Sequence, residues 1–392
     1  KGTLIVERGG KIIAQGTKDL PIVFTSAQAP GSRRTGDWGG LILLGNAPNN
    51  MGVQTIEGGV RSQHGGMNVN DNSGVLSYVR VEFAGIEYST DNEINGITFG
   101  SVGSGTQVDH VQVSFSGDDS FEWFGGTVNA RYLVAFRGWD DDFDTDNGFG
   151  GKIQFALAVR DPRVADKSAS NSFESDNNAN GSATEPYTSA VFANVSLFGP
   201  VANPAAYSNS EVTEGSPSGG PRFQAGLHLR RNTQLSIFNS LVAAFPIGMI
   251  IENDKGSTTQ TWATEGKLNV ANCVIAGAVQ DFQDKQYWVE NTQFDPEPGA
   301  FTQNYFNRSG GGNRTFAALA ELKLSGNPLT LTNPVVFPAS DSPLATGATW
   351  TNAKVSSGFD KVNYIGAFAP SETVANNWTT GWCNFDPQNT VY

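Results

Sequence analysis

Two consecutive stretches decide the fold: SGDDSFEWFGGTVNARYLVAFRG, residues 116–138, and WDDDFDTDNGFGGKIQFALAVRD, residues 139–161. Laid over each other they place Asp118 on Asp140, Phe121 on Phe143 and Glu122 on Asp144, each 22 residues on (143 − 121). Phe173-Glu174 extends the column at an offset of 30 (173 − 143), the extra residues forming a loop, as insertions in stacked repeats do. Ile94-Asn95 before and Phe223-Gln224 after are weaker members, because register slips across loops.

Further β segments flank this pair, among them LSYVRVEFAG, VDHVQVSFSG, SAVFANVSLFG and LNVANCVIAG, punctuated by Gly, Asn and Asp. A unit of about 20 to 30 residues with such corners describes a stacked solenoid better than a closed sandwich. The chain is therefore expected to be all-β: a single-stranded right-handed parallel β-helix over 1–370 with long loop insertions, and a C-terminal capping tail at 371–392. Thr315 to Gly326, TFAALAELKLSG, has apolar residues at helical spacing and a Gly stop, and reads as one short helix. The tail, with Trp378 and Trp382, is expected to cover the last exposed coil.

Composition narrows the function. A net charge of −13 and no basic stripe argue against nucleic acid. No run approaches the 18 apolar residues of a membrane span. The chain opens at Lys1 inside a strand pattern, so an upstream piece, with a membrane anchor as one candidate, is expected. Cys273 and Cys383 have no metal-type spacing and read as small buried apolar residues, with a disulfide between them the lesser alternative. His64, His110 and His228 are scattered, and each reads as a satisfied structural histidine.

The LIVERGGKIIAQGT…PIVFTS opening, the WGGLILLG step, LSYVRVEFAG and the SPLATG…YIGAF ending resemble right-handed parallel β-helix proteins of bacterial surfaces. The two quoted blocks are similar to the most recognisable parts of a secreted or lipid-anchored group of these, one without a settled activity. The resemblance implies the fold and an extracellular or outer-membrane location, and little about chemistry.

In a β-coil alternate residues face opposite ways, so stacked Phe121, Phe143 and Phe173 would send Glu122, Asp144 and Glu174 outward together. Carboxylates on neighbouring coils about 4.8 Å apart repel, by about 1 kcal/mol in water and more where water is excluded. Solvation, arginine pairing through Arg137 and Arg160, or a bound cation can relieve this. Five aspartates crowd residues 140–146, and Asp142-Phe-Asp144-Thr-Asp146-Asn-Gly148 offers alternate oxygens before a glycine turn, as Ca²⁺ prefers. The expected calcium ligands are Asp140, Asp142, Asp144, Asp146, Glu122 and Glu174. The spacing is not an EF-hand, because Ile153 stands where the bidentate Glu would be.

Two functions follow. One is a non-catalytic surface protein binding a polysaccharide or a cell-surface protein, with Trp38, Trp123 and Trp139, and secondarily Trp262 and Trp288, as flat platforms. The other is a calcium-assisted polysaccharide lyase or hydrolase, in which Arg137, Lys152 or Arg160 acts as base or charge stabiliser, or two carboxylates act as an acid/base pair. An open groove holding the column beside a Lys or Arg favours the enzyme; loops over the column favour a structural metal.

Overall fold

A computed structural model describes residues 2–58, 61–89, 92–208, 212–215, 222–256, 258–286, 298–332 and 334–392. Its strands form two long parallel ladders, one of nine strands and one of twelve. The second ladder bends midway. Gln107–Ser114, Asn129–Phe136 and Lys152–Val159 each skip one residue in their pairing, at His110, Tyr132 and Phe155. These residues hold φ of 52°, 58° and 61°. A left-handed residue inside a strand turns the chain by a corner, so each coil carries three short parallel faces. In later coils the corner residues are Asn194, Asn239 and Asn272, the type that tolerates this conformation best.

The interior is a column of aligned side chains. Phe121 pairs with Phe143 and Phe143 with Phe173, as the 22- and 30-residue offsets require. All three are fully buried, with ring centroids 5.7 Å and 5.1 Å apart. The outer members of the column are corrected: Ile97-Thr98 rather than Ile94-Asn95 precedes Phe121-Glu122, and Leu227-His228 rather than Phe223-Gln224 follows Phe173-Glu174. Loop length between coils varies, so a register copied across a loop slips by three or four residues.

In the middle coils the third face is apolar on both sides, with Val134, Phe136, Leu157 and Val159 pointing outward, and Val191–Phe198 is buried at every position. Such a run needs cover outside as well as inside. Residues beyond the last strand supply it: Leu322, Val336, Phe337, Leu344, Ile365, Phe368 and Trp382 pack on Val134, Phe136, Leu157, Val159 and Phe198. The coils end at Arg314–Phe316, so the covering segment begins well before residue 371. Among the described residues the tail 371–392 packs on the flank of earlier coils rather than on the last one. The covering segment runs back along the flank, with Gly366 bonded to Asn239, Asp360 to Gln154, Asn384 to Gln112 and Trp382 to Arg80. The last strand of the nine, Gln280–Gln283, is covered instead by the helix Ala300–Phe306, whose Phe306 lies 5.0 Å from Phe282.

No helix spans residues 315–326. Arg314–Phe316 pairs with Val274–Ala276, and Leu319–Leu322 is a single 3₁₀ turn. The open ladder edge satisfies those backbone groups, and tertiary pairing overrides a modest helix preference. Cys273 is buried, Cys383 partly so, and both are free thiols. Among the described residues no helix is long and apolar enough to cross a membrane.

Candidate functional site

On the outer face of the nine-stranded sheet, Thr98, Glu122, Asp144, Glu174 and His228 stand in one row. The turns entering these strands add Asp118, Asp119, Asp140 and Asp141. The result is a surface groove of about 300 Å³ that gathers twelve carboxylates against Lys167, Arg230 and Arg231. Three overlapping sets have carboxylate oxygens within 4.8 Å of one another: Asp118/Asp119/Asp140, Asp119/Glu122/Asp144 and Asp141/Asp144/Glu174.

Part of this charge is structural. Asp119 accepts the backbone N–H of Asp141 at 2.8 Å, Asp141 accepts that of Asn171, and the side chain of Asn171 accepts that of Ala225 at 3.1 Å. Each coil thus uses one side-chain oxygen to hold the next turn. Glu122 accepts from the Asn95 amide, and Asp140 from Ser168 at 2.6 Å. Asp144 differs: its Oδ1 is buried and has no hydrogen-bond partner among the described residues. Asp144 belongs to two of the three sets.

Neutralisation comes from one end. Arg230 bonds Glu174 and, at 2.9 Å, Asp176; Arg231 bonds Asp176 at 2.6 Å. Buried His228 lies between Glu174, at 3.5 Å, and Glu252, at 3.0 Å. Burial alone would raise the Glu174 carboxyl, but Arg230 and His228 outweigh it and hold it at about 2. Burial would lower the Arg230 guanidinium, but Asp176 and Glu174 raise it well above its ordinary value. Away from these cations the balance reverses. Burial, then neighbouring carboxylates, push Asp118, Asp119, Glu122, Asp141 and Asp144 well above the usual range, and Asp140 to about 8.

Of the expected ligands, Glu122, Asp140, Asp144 and Glu174 fall within the three sets. Asp146 lines the groove outside them, bonded to the N–H of Asn147 at 2.5 Å. Asp142 faces the other way: fully buried, it pairs with Arg160 at 3.0 Å and accepts from Ser172 at 2.6 Å. The D-x-D-x-D run therefore does not act as one chelating loop. Asp118, Asp119 and Asp141 were not among the expected ligands, although the offset of 22 that aligns Asp118 with Asp140 also aligns Asp119 with Asp141.

The three cations considered as bases are elsewhere. Arg160 is spent on Asp142, Arg137 pairs with Asp161 at 2.5 Å, and Lys152 reaches the Ser357 carbonyl at 2.8 Å beside Phe359. Arg230 and Arg231, which do enter the groove, sit one and two residues beyond Leu229, where only a correct register through Leu227-His228 reveals them. His228 is satisfied, as read from sequence, but within this site. Trp123 is no platform, being fully buried between Phe99 and Phe149, because it faces inward two residues from Phe121. Trp38 stacks on Phe24 and donates to the Glu82 carbonyl at 2.8 Å, Trp262 donates to Asn232 at 2.6 Å, and Trp139 is half-buried beside a second cleft. Trp288 lies outside the described residues.

Residues 1–320 match the family described as the pectate-lyase-like beta helix domain. The chain belongs to that family. Its match covers the coils through Phe316 and stops where the flanking segment begins. No curated protein and no solved structure matches the sequence. Membership establishes the parallel β-helix and a carbohydrate-related lineage, while chemistry has to be argued from the groove itself.

Proposed function

We propose that this is an extracellular or outer-membrane-surface β-helix protein that binds an acidic polysaccharide along the groove through bound Ca²⁺, without cleaving it. The observation that carries this reading is the buried, unpartnered Asp144 Oδ1 at the centre of two carboxylate sets. A buried carboxylate oxygen without a donor is costly, and a hard cation with oxygen ligands relieves that cost and the mutual repulsion at once. Asp119, Glu122 and Asp144 fit best, because Glu174 is already held by Arg230. Ca²⁺ bound there would bring positive charge to a wall that otherwise repels a polyanion. The groove is open and carries Lys167, Arg230 and Arg231, the arrangement expected of an enzyme. Arg230 and Arg231, however, are tied up in ion pairs, and β-elimination needs a base whose pKa is lowered, whereas Asp176 and Glu174 raise that of Arg230.

The test is equilibrium binding of polygalacturonate to the chain in millimolar Ca²⁺ and in EDTA. Retention only in Ca²⁺, lost in Asp144→Asn, supports the reading; equal retention in both buffers defeats it.

A second reading has one observation in its favour. Glu174 is held ionised while Asp144 is pushed up, with their oxygens within 4.8 Å. Carboxyl pairs with separated pKa values and a gap of about 5 Å are those of retaining glycoside hydrolases. Reducing ends released from polygalacturonate by the wild-type chain and not by Glu174→Gln would establish it.

A further inference from the structure

A second concavity lies just across the Trp139-Asp140 step from the acidic groove. The turn closing each coil after the third face puts Phe83, Phe115 and Arg137 in register, each with a left-handed φ of 60°, 57° and 60°. The N–H of each bonds to the next coil, at Ser114, Phe136 and Val159. Phe83 and Phe115 stack at 5.0 Å, and the Arg137 guanidinium lies 4.5 Å over the ring of Phe115. Beside this stack opens a cleft of about 780 Å³, walled by Arg33, Arg34, Arg137, Trp139 and Glu214. Its volume is that of a small-ligand site.

Its charge is opposite to that of the chain. Three arginines face one carboxylate in a protein of net charge −13. Arg33 is buried and committed, donating to the Gln28 and Pro387 carbonyls. Arg34 is not: it is exposed, its backbone N–H is anchored by Asp37 at 2.9 Å, and its guanidinium has no partner among the described residues. Arg137 pairs with Asp161, but Arg163 holds that same carboxylate through two bonds of 3.0 and 2.8 Å, so Asp161 stays neutralised without Arg137. Nε of Arg137 and Nε1 of Trp139 are buried and make no hydrogen bond among the described residues. The cleft therefore offers the free guanidinium of Arg34, the part-exposed guanidinium that Arg137 shares with Asp161, an aromatic wall, and a single carboxylate in exposed Glu214.

We propose that this cleft binds a sugar bearing a carboxylate, independently of metal. Arg34 and Arg137 take the carboxylate, for which the planar guanidinium is shaped. Trp139 and Phe115 offer an apolar wall to a sugar ring, and Glu214 accepts from a hydroxyl. The choice of a sugar rests on the carbohydrate reading of the neighbouring groove; the donor surplus does not.

The experiment is calorimetric titration of the full chain with trigalacturonate in EDTA, where binding through Ca²⁺ is silent. Saturable binding that weakens with added salt is expected, with α-1,4-galactotriose, its neutral counterpart, not bound. Arg34→Glu, at an exposed position whose folding is checked by circular dichroism, should weaken it by about tenfold or more, the size of one charge-assisted hydrogen bond. Arg137→Lys, which keeps the charge but loses the planar fork, should also weaken it, and Asp144→Asn should not. No uptake of trigalacturonate in EDTA, or unchanged affinity in Arg34→Glu, overturns the proposal. Tighter binding of a sulfated disaccharide overturns the assignment to a carboxylate. Loss of calcium-dependent retention in Asp144→Asn bears on the groove alone, so the two readings fail separately.

Discussion

Replacing Asp144 by Asn should change stability in opposite directions with and without calcium. The substitution keeps the shape and removes an ionisable carboxyl from the centre of two carboxylate sets whose oxygens lie within 4.8 Å. At that distance one ionised pair repels by about 0.9 kcal/mol in bulk water and about 3.5 kcal/mol at an effective dielectric of 20. In EDTA the substitution removes such terms, and Asp144→Asn should stabilise the chain by about 1–3 kcal/mol. In Ca²⁺ at a thousand times its Kd the wild type gains about 4.1 kcal/mol from binding, which the variant forfeits and which exceeds the repulsion it is spared. For a chain of 392 residues, 1 kcal/mol is worth about 1 °C in Tm. Scanning calorimetry in the two buffers should therefore show the variant melting a few degrees above wild type in EDTA and below it in calcium. A shift of the same sign in both buffers would refute the reasoning, because a merely structural Asp144 has no cause to respond to the metal.

Asp142→Asn should lose about 3–5 kcal/mol equally in calcium and EDTA, since it strands buried Arg160 without its partner; a calcium-dependent loss at this position would restore the chelating loop. Metal-free stability should fall as pH rises from about 4 to about 8, because the folded Asp140, pushed to about 8 from an ordinary 3.8, holds a proton that the unfolded chain releases. Below pH 4.5 the sign reverses towards about 2, where Glu174 loses the charge that Arg230 stabilises, so urea midpoints in EDTA should peak near pH 4–5. Phe143→Ala should cost about 3–5 kcal/mol in either buffer, being a cavity in the middle of the aromatic column; a loss under 1 kcal/mol in urea titration would mean that the column does not carry the core.

What could be read from the sequence was what repeats. Phe121, Phe143 and Phe173 recur beside Glu122, Asp144 and Glu174, and a β-strand's alternation assigns inside and outside without further information. Where the repeat lapses, the reading fails for physical reasons. Thr98 and His228 hold the outer column where no carboxylate marks the register, so sequence alignment slips at these coils and does not reach Arg230 and Arg231. Asp142 looked like its neighbours because aspartates at a coil corner are alike in sequence, yet one supports a turn, one pairs with Arg160 and one lines the groove. The Ala- and Leu-rich run at 315–326 has a helical pattern because its apolar residues must cover a flank, and cover can be given by irregular chain as well as by a helix. Trp123 is the exception, since its spacing of two from Phe121 already places it inward and excludes it as a platform.

The returning flank segment changes what kind of object the solenoid is. A stack of coils in which each touches only its neighbours can fray from either end, one coil at a time. Here the N-terminal coils are held by residues from the other end of the chain: Arg33 by the Pro387 carbonyl, Arg80 by that of Trp382, and Glu82 by the Tyr392 hydroxyl, across 354, 302 and 310 residues of sequence. Contacts of such span close only after the coils between them have stacked, so they belong to the late part of folding. Once made, they act as a drawstring. Loosening the first coils requires the drawstring to come off, and pulling it off from Tyr392 uncovers the flank coil by coil toward the C-terminal end, so the two extremities of an elongated molecule share one fate under heat or mechanical load.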